Sequence, residues 1–208
     1  MAGVKPFKGY RYQIENPQDL TEVIAPPYDM IDREMIDALY QKDPRNAVRL
    51  IQNRPEPQDT CNKDRHVRAA NIFKKWVNEG ILAQDEKDSV YIYQQTFKSP
   101  VGKEMITFVR TGVIALVELV DFEKKVVLPH EYTLSGPKID RFELMDVSQV
   151  DMGLVFGLVS DKGDTYHSIR ALINDEPVGV AVDENGVEHR LYICSDKSLI
   201  DSFVKSVK

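Results

Sequence analysis

Ser89-Val-Tyr-Ile-Tyr-Gln-Gln-Thr-Phe97, then Ser99-Pro-Val-Gly102, then Met105-Ile-Thr-Phe-Val-Arg110 is the stretch that decides the fold. The outer runs are dense in aromatic and β-branched side chains, which pack well on a pleated surface, and the middle four carry the proline and glycine of a turn. The stretch predicts a β-hairpin. Just beyond it, Thr111-Gly112 is expected to break the strand. The nearly unbroken apolar run Val113 to Val120 reads as a buried strand, Asp121 to Lys125 as a charged turn, and Val126 to Leu128 as the strand that ends in Pro129. Strands joined by such short connections run antiparallel.

On the N-terminal side, Lys5 to Tyr12 mixes aromatic and basic residues around Gly9 and reads as a first extended segment. Ala25-Pro-Pro-Tyr-Asp-Met-Ile-Asp32 follows. Paired prolines hold the backbone extended and remove two donors, so Tyr28 and Asp29 are presented from a stiff loop. Asp32 suits the N-cap of a helix running through Gln41, with Ile36, Leu39 and Tyr40 on one face. Asn46 to Ile51 reads as a short strand. An arginine inside such a run marks an edge or surface position more often than a ligand contact, and Arg49 is kept as a candidate for both. Asn53 to Asp64 is polar and reads as an exposed loop. Ala69, Ile72, Phe73 and Trp76 then recur at helical spacing and Gly80 stands where a C-cap glycine belongs, which makes Trp76 a core residue.

On the C-terminal side, a helix after Pro137 is expected to turn Ile139, Phe142 and Met145 inward. Leu154 to Val159 reads as an apolar strand interrupted by Gly157, and Thr165 to about Ile173 as a helix striped by Tyr166, Ile169, Leu172 and Ile173. Val178 to Val182 pairs with Glu188 to Ile193 across Asn185-Gly186, a strong hairpin signal. A last helix, Lys197 to Val207, buries Leu199, Ile200, Phe203 and Val204. The sum is an α+β chain with a mostly antiparallel mixed sheet and peripheral helices. It is read as one domain over 1–208, with a helix-rich part over 1–85 and a sheet-rich part over 86–208.

Composition bounds the function. The 208 residues, 42% of them hydrophobic, fill a real core, and 27 Lys plus Arg against 33 Asp plus Glu leave a net charge of -6. No global field draws such a chain to nucleic acid or to an anionic membrane. The two cysteines, Cys61 and Cys194, lack partners at metal-ligand spacing and read as free thiols of a reducing compartment. No apolar run approaches the roughly 20 residues that span a bilayer, and the first residues lack the apolar core of a secretory signal. A cytoplasmic location is expected.

Chemistry concentrates in Leu128-Pro-His-Glu-Tyr-Thr-Leu-Ser-Gly-Pro-Lys-Ile-Asp-Arg141. A polar loop closed by Pro137 in the first turn of a helix gathers an imidazole, carboxylates, a hydroxyl, an ammonium and a guanidinium at one rim of the sheet. His130-Glu131 is not a zincin motif, because Leu134 stands where the second histidine is required. His66, His167 and His189 share no metal-ligand spacing, so no metal site is expected. The segment has neither a nucleophile elbow nor a phosphate loop. It does suit an anionic ligand: the helix N-terminus, Lys138 and Arg141 hold the charge, His130 or Glu131 moves a proton, and Asp140 or Asp29 orients. The plainer alternative is that Glu131 and Thr133 cap backbone groups while Lys138, Asp140 and Arg141 form a solvated helix face.

Lys5-Pro-Phe-Lys-Gly9, Ala25 to Asp32, Val90-Tyr-Ile-Tyr-Gln-Gln95, Leu128-Pro-His-Glu-Tyr-Thr133 with Lys138, Asp140 and Arg141, and Asp183-Glu-Asn-Gly-Val-Glu-His-Arg-Leu191 resemble, in order and over nearly the whole chain, the bacterial and archaeal family called domain of unknown function 1015. Members are often labelled ParB-like. The ParB/sulfiredoxin class includes nucleotide-hydrolysing and free-serine kinase enzymes, so the resemblance implies nucleotide or phosphate chemistry by analogy, with ATP or ADP and magnesium as cofactors. Members of the family are longer and carry an Ala-Asp-Gly-His-His-Arg motif after the position of Leu191. This chain lacks it and is expected to be an N-terminal half or a shortened member. Two functions follow. One is an enzyme acting on a nucleotide and a small polar metabolite, with His130, Glu131 and Asp140 catalytic and Tyr28, Asp29, Arg49, Thr133, Lys138 and Arg141 binding ligand. The other is a non-catalytic binding or assembly module, for instance a homodimer.

Overall fold

In chain order the elements of the computed structural model are β1 (Val4–Lys5), β2 (Tyr10–Tyr12), α1 (Leu20–Val23), a tight turn at Tyr28–Met30, α2 (Arg33–Lys42), α3 (Val48–Ile51), α4 (Asn62–Asn78), β3 (Leu82–Gln84), β4 (Val90–Val101), β5 (Glu104–Ile114), β6 (Leu116–Val117), a second tight turn at Phe122–Lys124, α5 (Ser135–Ser148), α6 (Asp164–Ala171), β7 (Gly179–Val182), β8 (Glu188–Cys194) and α7 (Lys197–Ser206). The structure describes residues 2–16, 19–131, 133–161, 163–173 and 176–207; Tyr132, inside the polar loop singled out above, lies outside them. The fold is α+β. It comprises two compact units that interleave along the chain, the first made of residues 1–21, 84–130 and 158–208 and the second of 22–83 and 131–157.

The first unit is built on an antiparallel sheet of order β5-β4-β8-β7. Alternation along the strands sorts its two faces. Val90, Ile92, Tyr192 and Cys194 point to one side, where Leu172 and the α7 residues Ile200 and Phe203 bury them, with Val207 beyond the helix end. Asp196 opens α7 by accepting from the backbone N–H groups of Ser198 and Leu199, as an N-cap aspartate does. The hairpin of β4 and β5 runs further than its sequence suggests: pairing continues from Tyr91 opposite Ile114 to Val101 opposite Glu104. Thr111-Gly112 therefore does not end the strand. The turn is at Gly102, whose φ of +64° is the left-handed conformation that glycine adopts without strain. Pro100 is tolerated because β8 has already ended opposite Thr96, so its missing N–H leaves no ladder bond unmade.

The run Val113 to Val120 is not a buried strand. Its first two residues finish β5, and Leu116 and Val117 pair with β1 but stay half exposed, while Leu119 is 99% exposed. Two further expected strands are irregular chain: Val126 to Leu128, and Leu154 to Val159, whose apolar side chains are exposed. An apolar run forms a strand only where a neighbouring strand takes its backbone donors and acceptors, and no described strand does so here.

In the second unit Asp32 caps α2 through its side chain to Met35 N, and Ile31, Ile36, Leu39 and Val48 form the core. Asn46 to Ile51, expected as a strand, is a helical turn. The fully buried Asn46 explains it: Nδ2 donates to the carbonyls of Glu22 and Ile24 while Oδ1 accepts from Val48 N, so the side chain starts α3. The run is too short for its periodicity to distinguish the two structures. α4 places Ala69, Ala70, Phe73 and Trp76 inward, and Gly80 follows it with φ +72°.

Candidate functional site

α5 begins as its sequence predicts, with Pro137 in the first turn, but it turns a different face inward. Ile139, Phe142 and Met145 are exposed, and the buried positions are Leu144 and Ser148. Together with Asp140 these form the row i, i+4, i+8 that packs against α4. The physical reason for the misreading is that α5 docks through ion pairs. Its inward row opens on a charged residue, so the apolar stripe does not mark the packed face.

Asp140 lies at the centre of that contact. Oδ1 accepts from the Arg65 guanidinium of α4, and Oδ2 accepts from Arg141, whose Nε is 3.0 Å away. Arg141 also donates Nη1 to the Ile51 carbonyl at 2.7 Å, and its guanidinium lies 4.1 Å from the centroid of the Tyr28 ring. The twin-proline loop and the start of α5, which the sequence singled out separately, therefore meet at Tyr28 and Arg141. His66 completes the group: Nε2 is 3.2 Å from Asp140 Oδ1 and 3.8 Å from Glu143 Oε2, at ion-pair distance but without the alignment of a hydrogen bond.

The electrostatics are those of one carboxylate among several cations. Burial raises the Asp140 carboxyl, but the Arg141 hydrogen bonds and the charges of Arg141, Arg65 and His66 outweigh it, so the group is held below the ordinary carboxylate range. Burial also lowers His66, and Arg65 and Arg141 lower it further, against the opposite pull of Asp140 and Glu143. The net result is a lowered imidazole and two guanidinium groups around the Asp140 carboxylate, with Glu143 facing the imidazole as a second carboxylate. Arg65 and Arg141 are two planar cations sharing one carboxylate, the side chains that suit oxyanion recognition by geometry.

The other residues expected at the site are placed as follows. Asp29 and Lys138 are exposed, Lys138 one turn before Arg141 on α5. Thr133 is exposed ahead of the helix, whose N-cap, Leu134, supplies no side-chain acceptor. Glu131 is an exposed residue of the second unit and His130 an exposed residue at the end of a segment of the first. Arg49 is not at the cluster. It donates to the Tyr40 carbonyl, and its guanidinium lies over one side of the Tyr40 ring at 4.0 Å while that of Arg54 lies 4.5 Å from the same centroid. No group of three or more His, Cys, Asp or Glu side chains that could hold a metal occurs among the described residues, and among them no helix is long and apolar enough to cross a membrane.

Arg65, His66, Ile51 and Gln52 are members of the neighbourhood that the sequence reading missed. For His66 a signal exists: it falls on the same helical stripe as Ala69, Ala70 and Phe73, and an imidazole in register with a buried stripe needs a partner. Ile51 and Gln52 had no signal once their segment was read as a strand.

An open cleft of about 570 Å³ runs along the outer face of α4, past Asp59, Arg68 and Lys75, and does not include the cluster. The ion pairs there close a loop: Arg68 holds Asp59 in a two-pronged bridge, with Nη1–Oδ1 at 2.7 Å and Nη2–Oδ2 at 2.9 Å. Over residues 4–208 the chain matches, and belongs to, the family described as protein of unknown function (DUF1015). No curated protein and no solved structure matches it.

Proposed function

We propose that this member of the family is a cytoplasmic, ParB/sulfiredoxin-like enzyme that uses a nucleotide to act on a small polar metabolite, in the manner of the free-serine kinases. The anionic group of the nucleotide is held at Arg141 and Arg65. One observation supports this reading: two guanidinium groups share the Asp140 carboxylate at the start of α5, with His66 beside it, and one of the guanidiniums lies 4.1 Å from the centroid of the Tyr28 ring. A planar fork fixed in this way matches phosphate oxygens and loses little side-chain freedom on binding. Lys138, one turn earlier on the helix, adds a mobile charge, and Tyr28 and Asp29 position the ligand. Glu131, in the same unit, transfers the proton. ATP or ADP enters with magnesium as substrate.

Calorimetric titration of ATP, ADP and CTP with magnesium tests this. Saturable heat that Arg141→Ala reduces by about a hundredfold in affinity, the scale of two charge-assisted hydrogen bonds, is the expected result. Heat of dilution alone with all three removes the reading. A second reading, a non-catalytic binding or assembly module, is favoured by the apolar side chains of Ile139, Phe142 and Met145 left exposed along α5. A tight dimer in light scattering that Phe142→Glu dissolves and Arg141→Ala leaves intact selects it.

A further inference from the structure

The sheet of the first unit has two edges, and they are protected unequally. β7 is four residues long and covered: the Val182 backbone N–H donates to the Thr21 hydroxyl at 3.1 Å, and a Cβ built on Gly179 would run into Leu20 Cδ1. β5, at the other edge, is eleven residues long and pairs with β4 without a bulge from Glu104 to Ile114. Every second residue of it turns its N–H and C=O away from β4, and among the described residues no backbone bond reaches them. Edges are ordinarily blunted by a proline, a lysine, a bulge or a cover. Met105 to Val109 has none of the first three, and its apolar side chains lie open on both faces. Met105 and Val109 are 63% and 60% exposed on one face; on the other Ile106 and Phe108 are exposed too, although Phe108 stacks on Phe97 of β4. Such an edge is a template for another strand.

The residues of the edge select the strand that fits it. Glu104-Met-Ile-Thr-Phe-Val-Arg110 is complementary to itself when two copies run antiparallel about Thr107. Glu104 then faces Arg110, Met105 faces Val109, Ile106 faces Phe108, and Thr107 faces its own copy. Apolar side chains meet apolar ones, opposite charges meet, and the threonines pair, all of them cross-strand neighbours that stabilise a sheet. Arg110 keeps its bonds to the neutral Gln95 carbonyl, which leave the sign of its charge unchanged. A twofold axis normal to the sheet keeps each residue on its own face, so it passes through a residue rather than between two. Moved to Ile106 it sets Glu104 against Phe108, and moved to Phe108 it sets Arg110 against Ile106.

We infer that β5 is an interface with a second copy of this chain: the two β5 edges join antiparallel about Thr107 and make one continuous sheet of the two four-stranded ones. The contact is closed, because Met105 of one copy meets Val109 of the other and the reverse, and the short, covered β7 edge offers no place for a third copy. The interface uses a different element from α5 and rests on neither reading above.

Sedimentation equilibrium of the whole chain, at concentrations up to its solubility limit, is the test, with circular dichroism to confirm folding. A dimer is expected. Val109→Lys places a charge at an exposed position opposite Thr96 of β4, where the single copy tolerates it, and should weaken the dimer by about tenfold or more. Cysteines read the register. Thr107→Cys and Val109→Cys are each made together with Cys61→Ser, the remaining Cys194 being buried, and then oxidised. Facing residues of an antiparallel pair have Cα atoms about 4.5–5.5 Å apart, within reach of a disulfide, so Thr107→Cys should cross-link into dimers. Val109→Cys, displaced from its copy by about 13 Å along the strand, should not. If Val109→Lys does not fold, the two cysteine variants decide. A monomer at every concentration, equal cross-linking at both positions, or a dimer that Val109→Lys leaves intact, whether or not Phe142→Glu dissolves it, overturns the inference.

Discussion

Replacing Asp140 with Asn removes the negative charge that Arg65 and Arg141 share and that faces His66, while keeping nearly the same volume. The carboxylate and both guanidinium side chains are only about a fifth exposed, with side-chain values of 21% for Asp140, 21% for Arg65 and 20% for Arg141. Breaking a fully buried pair from one side costs about 3–5 kcal/mol. The remaining exposure and the acceptor that Asn retains reduce this, so a loss of about 2–4 kcal/mol is expected, a large share of the stability of an ordinary domain. Trp76, the one tryptophan of the chain, is buried in α4 and reports unfolding of the second unit by its fluorescence. The urea midpoint of Asp140→Asn is expected to fall by about 1–2 M at a typical slope. Inorganic phosphate then separates a docking contact from an anion site. It can take the place of the missing carboxylate between the two arginines, and at a hundred times its dissociation constant it restores about 2.7 kcal/mol. Phosphate should therefore raise the variant more than the wild type. A midpoint unchanged by the substitution refutes the electrostatic account, and equal phosphate effects on both proteins refute the anion site.

Other consequences are open to measurement. Tyr91 accepts from Gly9 N at 2.6 Å and donates to Asp85 at 2.7 Å, its hydroxyl pushed up to about 12 by burial and by Asp85. Tyr91→Phe leaves both partners short and should lower stability by about 1–3 kcal/mol in thermal unfolding; no change shows that the contact contributes nothing. Phe203→Ala empties the core beneath the sheet and should cost about 3–5 kcal/mol, read as a lower midpoint in far-ultraviolet circular dichroism. His66 gives a pH dependence. Its folded-state value lies below the ordinary one, so the unfolded chain binds the proton first as pH falls, and stability present above about 6.5 is lost progressively below it. His66→Gln should flatten that slope.

The parts of the fold that were legible share one property: local pattern and tertiary environment agree. Val90 and Ile92 alternate with Tyr91 and Tyr93 and form opposite faces of the central strand, Asp32 marks the cap of α2, and Phe203 marks the core of the last helix. Asn46 was illegible because its side chain bonds to carbonyls more than twenty positions away, which no local window contains. Ile139, Phe142 and Met145 misled for the converse reason: periodicity locates an apolar stripe but does not say whether anything covers it. At the candidate site the sequence pointed to Tyr28, Asp140 and Arg141. It gave no hint that Arg49 binds the Tyr40 carbonyl, or that α4 supplies Arg65 and His66.

The central claim, that the arginine braced on Tyr28 takes the charge of a nucleotide, has one direct test. In a nitrogen-labelled sample the Nε resonance of Arg141 is followed while ADP and magnesium are added, in the wild type and in Tyr28→Ala. The account predicts a displacement that saturates with ADP and weakens by about tenfold when the ring is removed, the scale of a desolvated cation–π contact. An Arg141 resonance that stays in place at ADP concentrations saturating any binding elsewhere contradicts it.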